Sequence, residues 1–236
     1  MPAKIGVGVI GLGFMGRTHV ACYRAAEAAG RNPESIALLA VSKTFPPAAV
    51  AEAARAGQSD FGENYVQEGL AKMAVVGNPS LQWHFIGPLQ SNKTRSVAGH
   101  FDWVHSIDRL RIAERLSADR CATRAPLQVC VQVNVSGEAS KGGVAPAQAA
   151  ELARAVAALP NLQLRGLMAI PEATDDMALA RRRFAALREL RDGLNGLGLQ
   201  LDTLSMGMSH DLEAAIMEGA TLVRVGTAIF GYRNRA

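Results

Sequence analysis

From residue 36 onward the chain alternates short apolar runs with amphipathic stretches. The runs at 36–43, 59–63, 82–87, 102–106, 127–135, 163–170, 201–206 and 221–226 have the length and composition of buried strands. Helical periodicity fills the intervals near 46–56, 64–73, 91–98, 108–121, 146–158, 175–195 and 210–218. Strands alternating with helices predict the α/β class, and eight of them suggest a single (β/α)8 barrel of the TIM type. A doubly wound open sheet is the alternative, because a strand count does not prove closure.

Polar residues gather at the predicted strand ends: Lys43, Glu63 and Asn64, His84, His105, Asn134, Met168 with its thioether, Ser205, and Arg224 to Thr227. Barrel enzymes carry their chemistry on this carboxyl rim, so the distribution favours a site. Lys43 closes an apolar run that Pro46 and Pro47 terminate. A lysine held there is partly desolvated, which lowers the pKa of its ammonium group. A neutral amine can form a Schiff base with an aldehyde such as pyridoxal phosphate. The competing reading is a lysine that snorkels into water.

Two further stretches have the character of anion sites. Ser205-Met206-Gly207-Met208-Ser209-His210-Asp211 joins a strand to a helix and leaves backbone N–H groups for an anion. Arg224-Val225-Gly226-Thr227 offers a cation, a close backbone approach and a hydroxyl. They follow the seventh and eighth predicted strands, where many barrels hold a phosphate. The glycine-rich loop 135–143 reads either as a surface connection or as a mobile lid.

Composition narrows the classes. With 49% apolar and 19% charged residues over 236 positions, the chain is globular. A net charge of +4, with Arg181-Arg182-Arg183 as the one dense basic run, suits anionic small molecules and gives no footprint for nucleic acid. Cys22, Cys121 and Cys130 are too widely spaced for a disulfide framework or a metal motif. The apolar run Ile5 to Met15 is too short to span a membrane, and glycines interrupt it. These features together predict a cytoplasmic location with no membrane partner.

The motifs Leu39-Ala40-Val41-Ser42-Lys43-Thr44, Phe61-Gly62-Glu63-Asn64-Tyr65-Val66-Gln67-Glu68 and Trp83-His84-Phe85-Ile86-Gly87-Pro88-Leu89-Gln90-Ser91-Asn92-Lys93 resemble the pyridoxal phosphate homeostasis protein family. The likeness continues through Gly166-Leu167-Met168, Ser205 to Ser209 and Arg224 to Gly231, in collinear order over residues 25–233. It implies a single barrel similar to the N-terminal domain of alanine racemase, with pyridoxal 5'-phosphate carried on Lys43. It places Asn64 beside the cofactor ring with Met168 near by, and Ser209, Arg224, Gly226 and Thr227 around the phosphate. Ser205 and Gly207 come close to that phosphate, and His84 stands behind the site. The implied role is storage, buffering or delivery of the cofactor without catalytic turnover, with transient contacts to apo enzymes and a monomeric state. An amino-acid racemase on the same barrel is the rival. Racemisation needs acid and base groups on both faces of the α-carbon, and the chain lacks the extra β domain that helps build such a site.

Residues 1–24 depart from that resemblance. Ile5 to Ile10 followed by Gly11, Gly13 and Gly16 forms a G-x-G-x-x-G fingerprint opening a helix, similar to the start of the glucose-fructose oxidoreductase and inositol dehydrogenase family. It implies NAD(P) binding. Against it, the next strand ends in Ser42-Lys43 where an NAD site wants an acidic residue, and no Glu-Lys-Pro motif follows. The expected division is an atypical segment 1–24 and a cofactor-binding barrel 25–236.

Overall fold

The structure is a computed structural model that describes residues 14–138 and 140–231. Helix α1 (Phe14–Ala28) is followed by β1 (Ala37–Val41), α2 (Pro47–Arg55), β2 (Asp60–Glu63) and α3 (Val66–Val76). Then come β3 (Gln82–Phe85), α4 (Thr94–His100), β4 (Trp103–Ile107), α5 (Leu110–Asp119), β5 (Leu127–Gln132) and α6 (Pro146–Ala157). The chain continues through β6 (Leu162–Met168), α7 (Met177–Gly196), β7 (Thr203–Ser205), α8 (Leu212–Met217), β8 (Leu222–Val225) and the one-turn α9 (Thr227–Phe230). The strands pair in chain order, and β8 returns to β1 in parallel register, Ala37 opposite Leu222 and Leu39 opposite Arg224. That last pairing closes the barrel and excludes the open-sheet alternative.

Local chemistry accounts for the elements. Pro47 occupies the first turn of α2, where its missing N–H costs nothing. Asp176 caps α7 by accepting from the N–H groups of Ala178 and Leu179. Gly77, at φ 57°, ends α3 in the left-handed conformation. In α5 the buried residues Ile112, Ala113, Leu116 and Ser117 form one stripe against the barrel. The fifth strand stops short of its predicted end because Asn134 turns the chain. Its amide donates to the carbonyls of Glu138 and Lys141 and accepts from the N–H of Gly137.

The wall of the barrel separates two interiors. On β1, Leu38 and Ala40 join the main core between strands and helices, whereas Leu39 and Val41 pack with Ile86 and Leu222 in a small separate cluster. This period-2 alternation assigns the second set to the lumen. Each fully buried leucine in either layer contributes roughly 1.5–3 kcal/mol. The lumen has few such residues, and much of its space is taken by buried polar groups, His84, His105, Ser205 and Arg224.

Helix α1 buries Cys22, Ala25 and Ala26 in the main core and packs on α8 and α9. Burial pushes the Cys22 thiol up to about 11, so the side chain is an inert apolar filler. Just beyond it, Arg31 donates to the carbonyls of Ile216 and Ala220 at 2.9 and 2.7 Å. The helix runs unbroken across positions 24 and 25 and holds Gly16, while Gly11, Gly13 and the predicted first strand lie outside the described residues.

Strand packing is tightest where β6 crosses β7. A Cβ on Gly166 would lie 1.8 Å from the Thr203 carbonyl oxygen, whereas one on Gly193 in α7 would meet nothing within 4 Å. Gly166→Ala should therefore lower the urea midpoint sharply. Gly193→Ala should raise stability by about 0.5–1 kcal/mol through helix propensity. Equilibrium denaturation of both variants checks the contrast.

Candidate functional site at the carboxyl rim

Lys43 lies half-buried in a tight turn just past β1. The next residue, Thr44, has φ 69°, a left-handed conformation that a β-branched residue adopts at a cost of roughly 1–3 kcal/mol. The turn is held by a buried ionic group under its outer side. Lys72 of α3 donates to the Ser42 carbonyl at 2.6 Å, to Glu63 at 2.6 Å and to Glu68 at 2.7 Å. The Ser42 hydroxyl donates to the same Glu63 oxygen at 2.5 Å, and the Thr44 N–H donates to Glu68. Both neighbours of Lys43 are thereby fixed. Burial raises the Glu63 carboxyl above its ordinary value, although Lys72 and Ser42 work against the shift. The second oxygen of Glu63 has no partner among the described residues.

The loops after β7 and β8 meet this turn across the barrel seam. Gly207, at φ 91°, admits the close approach of Ala215, whose Cβ would stand 2.5 Å from an added side chain. Its carbonyl accepts from the Arg224 N–H at 2.9 Å. Asp211 accepts from the Met208 N–H at 2.6 Å and shapes the turn that leaves Ser209 exposed. Gly226 precedes α9, and an added Cβ there would sit 3.2 Å from the Val41 carbonyl oxygen. The backbone N–H groups of Ser209 and Thr227 have no acceptor among the described residues. Phe45 and Phe230 pack with ring centroids 5.0 Å apart, joining the Lys43 turn to α9.

Arg224 lies beneath these loops, only 3% exposed. It donates to the Ser205 carbonyl and hydroxyl at 2.6 and 2.7 Å and to the Ala169 carbonyl at 2.8 Å. No carboxylate makes an ion pair with it among the described residues. Burial pulls its guanidinium down to about 10, which leaves it charged at neutral pH. Ser205 also contacts His105, and His105 contacts His84. Met168 is fully buried at the end of β6, opposite Ser205 in register. Asn64 follows β2 and has its backbone pressed against Gly87, where an added Cβ would lie 2.3 Å from the Asn64 carbonyl oxygen. The Asn64 side-chain oxygen is buried and without a partner among the described residues.

Lys43, Asn64, Met168, Ser205, Gly207, Ser209, Arg224, Gly226 and Thr227 thus all stand on or directly under the carboxyl rim. His84 does not: it sits within β3 and reaches toward Asp60 at the start of β2. Sequence reading missed Lys72 as a support of the lysine turn, although its i, i+4 spacing from Glu68 is visible in the chain. It also missed Asp60 and Ser42.

A half-buried lysine, a buried guanidinium and rim N–H groups unclaimed among the described residues form a donor set suited to an anionic aldehyde, and the Asn64 amide oxygen is an open acceptor beside them. The class follows from fold and sequence together: the chain belongs to the family of the alanine racemase N-terminal domain, whose model matches residues 23–234. The alanine racemase of Corynebacterium glutamicum shares the fold at TM-score 0.68 and 17% identity, over 91% of this chain and 61% of that one. Within the class, the chain belongs to the pyridoxal phosphate homeostasis proteins. It is 64% identical to the member from Pseudomonas aeruginosa over 210 residues, 89% of this chain and 90% of that protein. It is 56% identical to the Escherichia coli K12 member over 216 residues, 89% and 91% of the two chains. PipY of Synechococcus elongatus, solved with pyridoxal phosphate bound, superposes at TM-score 0.78 with 40% identity, covering 89% of this chain and 99% of that one.

Replacing Lys72 by methionine leaves the Glu63 charge buried and unpaired, and should cost roughly 3–5 kcal/mol at neutral pH. The Glu63 pKa, already raised, should rise further. The folded state then binds a proton that the unfolded state releases, so stability falls as pH rises through the carboxylate range. Chemical denaturation should show Lys72→Met recovering part of its loss on acidification.

Proposed function

We propose that this chain binds pyridoxal 5'-phosphate on Lys43 and stores, buffers or delivers it. The observation that carries the reading is the seam between β1 and β8, where the lysine turn meets the loop Arg224 to Thr227. The cofactor supplies an aldehyde and a dianionic phosphate. Lys43 would hold the aldehyde end, and the chemistry the cofactor would supply there is reversible condensation with an amine, with release of water.

The other residues divide the remaining tasks. The N–H groups of Ser209 and Thr227 donate to the phosphate, and Gly226 lets the backbone approach it closely. The Arg224 charge offsets the phosphate from below, anchored by Ser205 and by the turn at Gly207. Asn64 places its orphaned oxygen and amide beside the ring, and Met168 fills the apolar floor. Lys72, Glu63 and Glu68 keep the lysine turn in its strained form.

The reading is of a carrier without catalytic turnover, since the curated relatives bear the name of homeostasis proteins rather than of enzymes. It includes a cytoplasmic monomer with transient apo-enzyme partners, a cofactor-binding barrel over residues 25–236 and an atypical segment 1–24 before it. The free thiols Cys22, Cys121 and Cys130 suit a reducing compartment. Among the described residues no helix is long and apolar enough to cross a membrane.

Mixing the protein with pyridoxal phosphate should produce an absorption band near ~420 nm. Lys43→Ala should lack it, and a wild type without the band would refute the reading. Gly226→Val should weaken affinity for pyridoxal phosphate by about tenfold or more, a loss of at least 1.4 kcal/mol. It should change affinity for pyridoxal, which has no phosphate, far less. Equilibrium titration of the two ligands separates the phosphate contribution from the covalent one.

A further inference from the structure

Five side chains from five strands form an unbroken polar chain through the barrel lumen. Asp60 Oδ1 meets His84 Nε2 at 3.1 Å, His84 Nδ1 meets His105 Nε2 at 3.0 Å, and His105 Nδ1 meets Ser205 Oγ at 2.8 Å. Ser205 Oγ in turn accepts from Arg224 at 2.7 Å. His84, His105, Ser205 and Arg224 are each at most 3% exposed, while the Asp60 side chain is 30% exposed at the opposite end of the barrel.

Chemistry fixes the direction of this chain. A guanidinium only donates, so the Ser205 oxygen is an acceptor on that side. With both imidazoles neutral and Asp60 ionised, each remaining proton has one place. The Ser205 hydroxyl donates to His105 Nδ1, His105 Nε2–H donates to His84 Nδ1, and His84 Nε2–H donates to Asp60. Every donor then points from the rim toward the far face, and each link polarises the next. Protonating Asp60 allows the opposite sense, in which Asp60 donates to His84, His84 to His105 and His105 to Ser205. The chain therefore has two consistent senses at Ser205, and a proton taken up at the Asp60–His84 end selects between them.

The surroundings favour an ionised Asp60 and a neutral His105. Burial lifts the Asp60 carboxyl, but hydrogen bonds from His84 and Ser59 outweigh it and hold the group below its ordinary value. Burial, reinforced by His84 and Arg224, keeps His105 well below the ordinary imidazole range and so neutral. The other groups facing the chain are few. His84 stacks on Trp103 at 5.3 Å, and over that ring lies Arg165, itself paired with Asp202. Arg224 has Cys130 and Asp211 within electrostatic reach.

We propose that Asp60, His84, His105 and Ser205 are positioning residues that set the orientation of Arg224 beneath the cofactor, so that the protonation state of the barrel's far face is transmitted to the cofactor on the rim. The inference rests on the pyridoxal phosphate reading and adds a control to the same site. An inert packing role for the histidines predicts no such link, because Asp60 and the rim lie at opposite strand ends.

The experiment uses the full chain with and without pyridoxal phosphate, in wild type, Asp60→Asn, His105→Phe, His105→Gln and the double variant Asp60→Asn/His105→Phe. With the cofactor bound, Asp60→Asn should move the pH midpoint of the absorption change by about half a unit or more. The same substitution made on His105→Phe should move nothing further. His105→Gln, whose amide can accept from Ser205 and donate to His84, should restore the dependence on Asp60. In the free protein, Asp60→Asn should shift the nitrogen resonances of the His105 ring. Identical His105 resonances in wild type and Asp60→Asn, or an unchanged pH midpoint, would overturn the relay. A wild type with no cofactor band at all would instead sink the pyridoxal phosphate reading, and the resonances of the free protein would still report on the chain. A cooperative thermal melt for each variant separates either outcome from loss of the fold.

Discussion

A guanidinium buried in the lumen of a closed barrel constrains most of what surrounds Arg224. Removing such a charge from water is costly, and direct hydrogen bonds from every side must offset it. Here the acceptors are neutral: two carbonyls and one hydroxyl. Their positions depend on the register of β6, β7 and β8, and on the left-handed turn at Gly207 whose carbonyl binds the Arg224 backbone. The hydroxyl is shared with His105, an imidazole that burial keeps neutral. A neutral cradle leaves the positive charge uncompensated at short range, and the rim above it is the natural place for an anion.

A second ionic group lies on the other side of the barrel wall. Lys72, Glu63 and Glu68 sit between β2 and α3, outside the lumen, and grip the backbone on both sides of Lys43. The two groups act in different ways. The outer one joins one lysine to two carboxylates and fixes a strained turn. The inner one holds a guanidinium among neutral acceptors and lies under the rim. Rigidity and electrostatic attraction are thus supplied by separate residues, which lets each be tuned alone.

Much of this was legible in the chain because strands and helices repeat locally. The eight strands lie where the apolar runs put them, and Lys43, Asn64, Gly226 and Thr227 stand at the rim because a strand's end is a local property. Trimmed ends had local causes too, such as the Asn134 turn after β5. The lumen chain was not legible. Its members are 24, 21, 100 and 19 positions apart, and only closure and register bring them together. His84 drew attention as a polar strand residue, but nothing local indicated that it faces away from the rim. Helix α9 escaped because one turn is too short for periodicity, whereas the glycine fingerprint did point to a helix where α1 begins.

The seam that joins β1 to β8 also bears on how the protein is made. The lysine turn follows the first strand and the loop Gly226-Thr227 follows the last, and the Phe45–Phe230 contact fastens one to the other. During synthesis the lysine emerges from the ribosome early, but its counterpart emerges almost 200 residues later by the spacing of the two strands. A ligand that touches both cannot be held by a nascent chain. It clasps the longest-range junction of the barrel, so its binding energy acts against global opening rather than against fraying of one helix. Occupancy of the site is in that sense a certificate that the whole barrel has closed.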